Sequence, residues 1–365
     1  MQPYAEAIVG ARAATATFLE QQNKSARFIV FCHFDADGLA AGAVFGRALP
    51  RLGFTNVQVV PSGRGESAFE DQARERLAAS EPDALIVTDL GIDRSGVLPN
   101  VPTLLVDHHR PEGEPPGAAV VSGYDWEPIP CSAWLAYELL APLANIEDLS
   151  WIAAVGILSD IGDSAPWDAL PATKKRYTAK WLKEAVALIN ASRRASTFDV
   201  DTPLRMLMQA DHPRAVSEND ELGAGKLRAY RAEVNAQLAQ ARRQAPIFGS
   251  TANPPIAIIK IDSPCQVHPL IAQQWRGRLR DHVVICANTG YLSGIVACSA
   301  RTALKDLSLP KLFQSLDLGD DAGTGFGRGH DQASGGHLSA VGYNRMLDAW
   351  GFPERARVPV DTAAL

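Results

Sequence analysis

Early in the chain, four short and mostly apolar runs recur between stretches of helical period: Phe28–Phe34, Val57–Val60, Ala84–Leu90 and Thr103–Val106. Runs of strand length without strict polar alternation belong to strands covered on both faces. The intervening segments Gly38–Leu52 and Ala68–Ser80 repeat their apolar residues at helical spacing. Strand–helix–strand repetition implies right-handed crossovers and a parallel sheet with helices on both sides. Two further helical segments, Ser132–Leu143 and Leu149–Leu158, follow. The expected fold class is α/β.

A chain of 365 residues exceeds one ordinary core and points to two domains. Ala172–Asn190 and Leu222–Ala245 read as helices, the second basic and solvated as a connector. From Pro255 the pattern changes to a strand at Ile256–Ile261, a helix at Pro269–Leu279, and a hairpin pairing His282–Ala287 with Leu292–Ser299 around Asn288–Tyr291. A glycine-dense segment, Gly319–Gly336, comes next, and the tail after Phe352 is expected to be loosely held. The second domain is thus a smaller α/β unit.

A net charge of −6 argues against coating duplex nucleic acid by bulk charge, while leaving room for a local basic groove. Cys32, Cys131, Cys265, Cys286 and Cys298 are scattered and odd in number, so most of them read as small buried apolar residues in a reducing compartment. Glu6 and Arg12 interrupt the amino-terminal apolar stretches, and no run approaches the roughly 18–20 apolar residues of a membrane span. A cytoplasmic protein with no membrane partner, monomeric or homodimeric, is expected.

The chemistry-bearing residues stand where the strands end. His33, Asp35 and Asp37 alternate at the end of the first, on one face of an extended chain, with Gly38 allowing a turn into the helix. Asp89 closes the third strand and Asp107, His108 and His109 the fourth; Asp160 follows the helix Leu149–Leu158. In open parallel sheets the carboxyl ends of strands border the ligand crevice, so these residues are expected to converge. Taken singly, each is ordinary: aspartate at a strand-to-helix junction commonly caps the helix. Together they form a carboxylate cluster that repels itself unless cations neutralise it. Carboxylate and imidazole without thiolate suit Mn²⁺ or Mg²⁺, with Fe²⁺, Co²⁺ or Zn²⁺ as further candidates. There are enough ligands for two ions, and two ions polarise a phosphoryl oxygen and activate water, which implies phosphoester hydrolysis.

The segments HFDADG, VTDLG, VDHHR and GILSDIGD, in that order, resemble motifs I to IV of the DHH phosphoesterase superfamily. GTGFGRGHDQASGG resembles the glycine–histidine signature of the DHH-associated domain that follows in RecJ-like and nanoRNase-like members. The resemblance implies a DHH domain with a dinuclear metal site over residues 1–190, a helical linker over 191–250 and a DHH-associated substrate-binding domain over 251–365. It implies one metal on His33, Asp35 and a bridging Asp89, and a second on Asp37, Asp89, His108 and Asp160. Asp107 would orient the histidine behind the ligands, and His109 would stand at the scissile phosphate as hydrogen-bond donor or general acid. The first motif is closer to the H-x-D-x-D-G form of RecJ-like members than to H-x-x-x-D-x-D, and Asp163 has no motif position.

In the second domain, Gly329-His330 with Ala333-Ser334-Gly335 matches the glycine–histidine pattern, with Arg328 where a glycine is usual; Gly335-Gly336-His337 is a shorter match. The resemblance implies that Arg301, Arg328, Gly329 and His330 bind substrate. Arg110 stands beside the site for a phosphate contact or to balance its charge, Arg64 lies in a loop after the second strand, and Trp275 sits among Arg276, Arg278 and Arg280. The implied function is a phosphodiesterase using two divalent ions, Mn²⁺ foremost with Mg²⁺ or Co²⁺ as alternatives, on short single-stranded oligonucleotides or linear dinucleotides. The competing readings are a RecJ-like 5′→3′ exonuclease on single-stranded DNA, a hydrolase of polyphosphate or a small phosphoester, and an inactive RecJ-like scaffold. The scaffold is disfavoured by the full set of ligand-type residues.

Overall fold

The computed structural model describes residues 1–323 and 326–360. Its contacts divide it into two compact units, Met1–Arg193 with Thr197–Arg231, and Arg194–Ser196 with the chain from Ala232 onward.

The first unit runs β1 (Gln2–Pro3), α1 (Tyr4–Glu20), β2 (Arg27–Cys32), α2 (Ala36–Ala48), β3 (Asn56–Pro61), α3 (Asp71–Ala78), β4 (Ala84–Thr88), β5 (Thr103–Asp107), β6 (Ala119–Ser122) and β7 (Trp126–Glu127). The helices α4 (Ser132–Leu140), α5 (Ser150–Asp160), α6 (Ala169–Tyr177), α7 (Ala179–Arg194), α8 (Asp201–Gln209) and α9 (Arg214–Glu218) come next, and α10 (Ala224–Ala241) begins in this unit and continues into the second. β1 pairs with β7, and the other five strands form an entirely parallel sheet in the order β3-β2-β4-β5-β6. Alternate residues of the same strands feed two cores. Phe28, Val30, Ile86 and Leu104 pack with residues of α1, α2, α4 and α5. Ile29, Phe31, Leu85 and Val87 pack with Ala73 and Leu77 of α3. Burial on both faces is why these strands read as continuous apolar runs.

The strand order also places the site. From β2 the chain goes to β3 on one side and returns to β4 on the other, so the carboxyl ends of β2 and β4 border the crevice of a topological switch point.

The second unit contains β8 (Ile247–Phe248), β9 (Ile256–Ile261), α11 (His268–Arg276), β10 (Val283–Leu292), β11 (Ile295–Thr302), α12 (Leu309–Gln314), β12 (Arg328–His330), β13 (Ala333–Ser339) and α13 (Ala340–Ala349). Its sheet has the order β12-β13-β11-β10-β9-β8, with only the β9–β10 pair parallel. Ile258, Ile285, Val296, Tyr343 and Leu347 belong to its core.

Four local expectations are corrected. The hairpin turns at Ser293-Gly294, where Leu292 pairs Ile295, and Asn288–Leu292 is an irregular stretch inside β10. Asn288 is fully buried; its side-chain oxygen accepts from the amides of Ser263 (2.9 Å) and Gly290 (3.2 Å), and its Nδ2 donates to the Cys265 carbonyl (3.1 Å). The Asn-Thr-Gly signal therefore anchors a distorted strand instead of making the turn. Ala172–Asn190 is two helices, separated at Thr178, whose φ is 69°. The chain after Phe352 is docked: Asn344 donates to the Val358 carbonyl (2.9 Å) and accepts from its amide (3.0 Å), and Ala356 is buried. Gly38 lies within α2, where its role is close packing, as described below. Thr324 and Gly325 of the glycine-dense segment, and residues 361–365 of the tail, lie outside the described residues. Among the described residues no helix is long and apolar enough to cross a membrane, and the five cysteines are buried and joined in no disulfide.

Ile86 is fully buried in the central strand β4. Ile86→Ala is expected to lower the unfolding free energy by about 2–5 kcal/mol, read from the shift in urea midpoint at unchanged slope.

Candidate metal centre

β2 ends at Cys32, and α2 begins at Ala36. Asp35 is the helix cap: its Oδ1 accepts from the amides of Asp37 and Gly38, both at 3.1 Å. Asp37 therefore sits in the first helical turn, and the convergence of His33, Asp35 and Asp37 comes from cap geometry, not from the alternation of an extended strand. A Cβ on Gly38 would lie 2.5 Å from both the Cβ and the carbonyl oxygen of His33, so a side chain there would push the histidine aside.

Asp89 follows β4 with φ of 63°, an uncommon conformation for a residue with a side chain, and its amide donates to the Val106 carbonyl (3.1 Å). Asp107, the last residue of β5, is 1% exposed. Its Oδ2 accepts from the Gly91 amide (2.7 Å), and its Oδ1 accepts from the His109 amide (2.6 Å) and faces His109 Nδ1 at 3.0 Å. The histidine it orients is therefore His109. Asp160 closes α5.

The separations within this cluster are informative. His33 Nδ1 lies 3.3 Å from Asp35 Oδ1 and 3.5 Å from Asp89 Oδ2. His108 Nε2 lies 3.4 Å from Asp89 Oδ1 and 4.0 Å from Asp37 Oδ2, and its Nδ1 is 3.8 Å from Asp160 Oδ2. Ligand atoms about 2.1 Å from one ion, at octahedral to tetrahedral angles, stand roughly 3.0–3.4 Å apart. His33–Asp35–Asp89, Asp37–His108–Asp160 and Asp89–His108–His109 are each close enough for one cation, and Asp89 is common to two of the three groups.

Two contributors left no clear trace in the sequence. The amino terminus of α4 grips Asp37, with the Ser132 amide donating to Oδ2 (2.8 Å) and the Ala133 amide to Oδ1 (3.0 Å), while Ser132 Oγ donates to Asp89 Oδ1 (2.9 Å). A serine opening a helix was the available signal, but backbone donors belong to no residue type. Gly156 of α5 is the other: a Cβ there would lie 2.3 Å from Ala133 Cβ and 2.4 Å from Asp37 Oδ1.

Electrostatics fit a cation site. Burial, and then the charge of Asp89, push the Asp37 carboxyl up to about 8, with Asp160 and Asp35 adding to the rise. Burial alone would pull His33 and His108 down, but the carboxylates around them outweigh it and carry both up to about 10. Burial likewise opposes His109, which Asp107 nevertheless holds above the ordinary imidazole range. The site thus retains protons to offset an excess of carboxylate, the work a divalent cation does when its hard oxygen and imidazole donors are free. The nearby thiols of Cys32 and Cys131 are driven upward by burial and stay protonated, which leaves the donor set to oxygen and nitrogen.

Of the remaining candidates, Arg110 is exposed, and Asp163 is paired with Lys174 (3.0 Å) and Lys183 (2.5 Å), apart from the cluster. In the second unit, Arg301, Arg328, His330 and His337 line one recess with His268. Arg301 donates to Ser299 Oγ (3.1 Å) and the Ala300 carbonyl (2.8 Å). β12 and β13 pair so that Arg328 stands opposite Gly335 and Gly329 opposite Ser334. The arginines of α10 are partly engaged: Arg228 with Asp220 and Arg231 with Glu184. Trp275 is half-buried, with Arg278 5.0 Å over its ring.

Residues 27–157 match the model of the DHH family, N-terminal domain. The single-stranded-DNA-specific exonuclease RecJ of Thermus thermophilus is 27% identical over 277 residues, which are 65% of this chain and 41% of that protein. The chain thus spans about two fifths of the length of the curated relative it matches. Among solved structures, an exonuclease RecJ bound to manganese superimposes with a TM-score of 0.67 at 22% identity, covering 96% of this chain and 95% of that one. RecJ of Thermus thermophilus in complex with Mn²⁺ gives 0.66 at 21% identity over 96% of this chain and 55% of that one. Its complex with Mg²⁺ gives 0.60 at 20% identity over 93% and 52%. At these identities the likeness is one of fold.

Because Asp37, His33 and His108 retain protons at neutral pH, loading the centre must displace them. Calorimetric titration with Mn²⁺ at pH 7 in two buffers of different ionisation enthalpy is expected to show net proton release, with affinity falling as pH is lowered. Equal heats in both buffers would contradict these protonation states.

Proposed function

We propose, from the match of residues 27–157 to the DHH family N-terminal domain, that the protein is a metal-dependent phosphodiesterase acting on short single-stranded oligonucleotides or linear dinucleotides. The observation that carries the reading is the shared position of Asp89, within reach of both the His33–Asp35 and the His108–His109 ligand groups. Divalent ions held by His33, Asp35, Asp37, Asp89, His108 and Asp160, with Mn²⁺ foremost, would supply charge neutralisation and Lewis-acid polarisation of the phosphoryl group.

The chain's own residues do the rest. Asp107 binds His109 Nδ1, fixing the ring and favouring its protonated form, so that Nε2 is left to donate to a phosphoryl or leaving-group oxygen. The α4 amides hold both oxygens of Asp37, and Ser132 Oγ holds Oδ1 of Asp89, so both carboxylates are positioned by the chain itself. In the second unit, Arg301 with Arg328, Gly329 and His330 is read as the grip on the rest of the substrate, where guanidinium forks suit phosphate. The net charge of −6 favours short substrates over long strands, which extended basic grooves ordinarily hold. A second reading, exonucleolytic removal of nucleotides from single-stranded DNA, is favoured by the 27% identity to RecJ of Thermus thermophilus.

5′-Labelled two-, five- and twenty-four-nucleotide RNA and DNA, incubated with Mn²⁺ with and without chelator, separate the readings. Chelator-sensitive preference for the shortest substrates is expected, whereas processive loss of the long DNA selects the exonuclease, and no cleavage of any substrate removes both. Asp89→Ala is expected to abolish turnover without loss of the fold, checked by far-ultraviolet circular dichroism alongside the gels. His330→Ala is expected to lower oligonucleotide turnover about tenfold more than turnover of a small chromogenic phosphodiester; equal losses would remove its binding role and turn attention to His337.

A further inference from the structure

One flank of the metal centre carries a cluster that the ligand set does not use. Phe34, between His33 and Asp35, has its ring 4.2 Å from that of His33 and 5.3 Å from that of Phe198, the two phenyl groups meeting edge to face at 73°. Phe198 has φ of 51°, in the left-handed region that bulky side chains avoid, so its surroundings hold it there. Backbone of this kind gathers at binding sites, where position outweighs local comfort. Two guanidiniums lie over the pair, Arg64 4.9 Å from the Phe198 ring centre and Arg193 5.7 Å from that of Phe34. Both phenyl rings are partly exposed, in contrast to the fully buried Phe28, Phe31, Phe45 and Phe54. Arg64 also lines a recess at the end of β3 with Ser62 and Val200, and Ser62 is fully buried, its hydroxyl without a hydrogen-bond partner among the described residues.

We propose that Phe34 and Phe198, with Arg64 and Arg193, form a stacking platform for one nucleobase of the strand whose phosphate lies at the metal centre. The inference rests on the phosphodiesterase reading and adds base recognition to it. Partly exposed aromatic rings and planar guanidinium groups are the surfaces on which unpaired bases stack, with little sequence preference because every base has such a face. The neighbouring carboxylates repel an anionic strand, and the two arginines place compensating positive charge on the same flank. A polyphosphate or a small sugar phosphate has no ring to offer, so the platform selects a nucleotide substrate.

The test is a binding titration of the full chain in Ca²⁺ with trinucleotides carrying 2-aminopurine at each position in turn, and with matched trinucleotides carrying an abasic spacer there. At one position, quenching of 2-aminopurine emission and a loss of affinity of about tenfold or more for the abasic strand are expected. In Phe198→Ala the abasic penalty is expected to shrink to about twofold or less, and in Phe198→Tyr to persist; the wild-type comparison stands even where a variant fails to fold. Binding with no abasic penalty and no quenching at any position would overturn the platform alone. Failure to bind any of the strands would overturn it together with the phosphodiesterase reading.

Discussion

Mutual repulsion among Asp35, Asp37, Asp89 and Asp160 is the constraint around which the first unit is arranged. Asp37 and Asp89 are 2% and 4% exposed, where charge is costly without partners. Imidazoles at His33 and His108 supply positive charge, and the α4 amides supply oriented dipoles. His33 and Arg193 hold Asp35 below the ordinary carboxylate range against the opposing effect of burial. A divalent cation would complete what these groups begin.

Topology delivers the parts. Parallel strands all point their carboxyl ends the same way, and the reversal of connection at β2 leaves room between the ends of β2 and β4. Asp107 then links the neighbouring strand end to both its sides, through Gly91 on the β4 loop and His109 on its own. One fully buried carboxylate thereby sets the relative position of two loops.

Much of this was legible in the residues. β2, β4 and β5 announced themselves because burial on both faces leaves no polar alternation, and His33, Asp35, Asp37, Asp89, His108, His109 and Asp160 because they follow strand or helix ends where the fold needs no charge. What was hidden was contact made by backbone or by absence: the Ser132 and Ala133 amides, and the missing side chain at Gly156. Asn288 misled because the same amide side chain that favours a turn also serves as a buried anchor for a distorted strand. Asn344 tied down the tail through a long-range pair that local polarity does not reveal. The motif order also pointed to the DHH-family resemblance over residues 27–157 before any geometry, since those residues are the ones the chemistry constrains.

The hold of α4 on Asp37 has a consequence for how the centre comes into being. Asp37 and Ser132 are 95 positions apart, and four of the five strands of the parallel sheet, β3 to β6, lie between them. Closing so long a loop is late in folding, because its entropy must be lost before the contact stabilises anything. A nascent chain that has emerged only as far as β6 carries His33, Asp35, Asp37, Asp89, His108 and His109 but lacks the α4 amides that grip the Asp37 carboxylate. The full grip on Asp37, and with it the finished geometry of the carboxylate cluster, thus waits for α4 to close on the sheet.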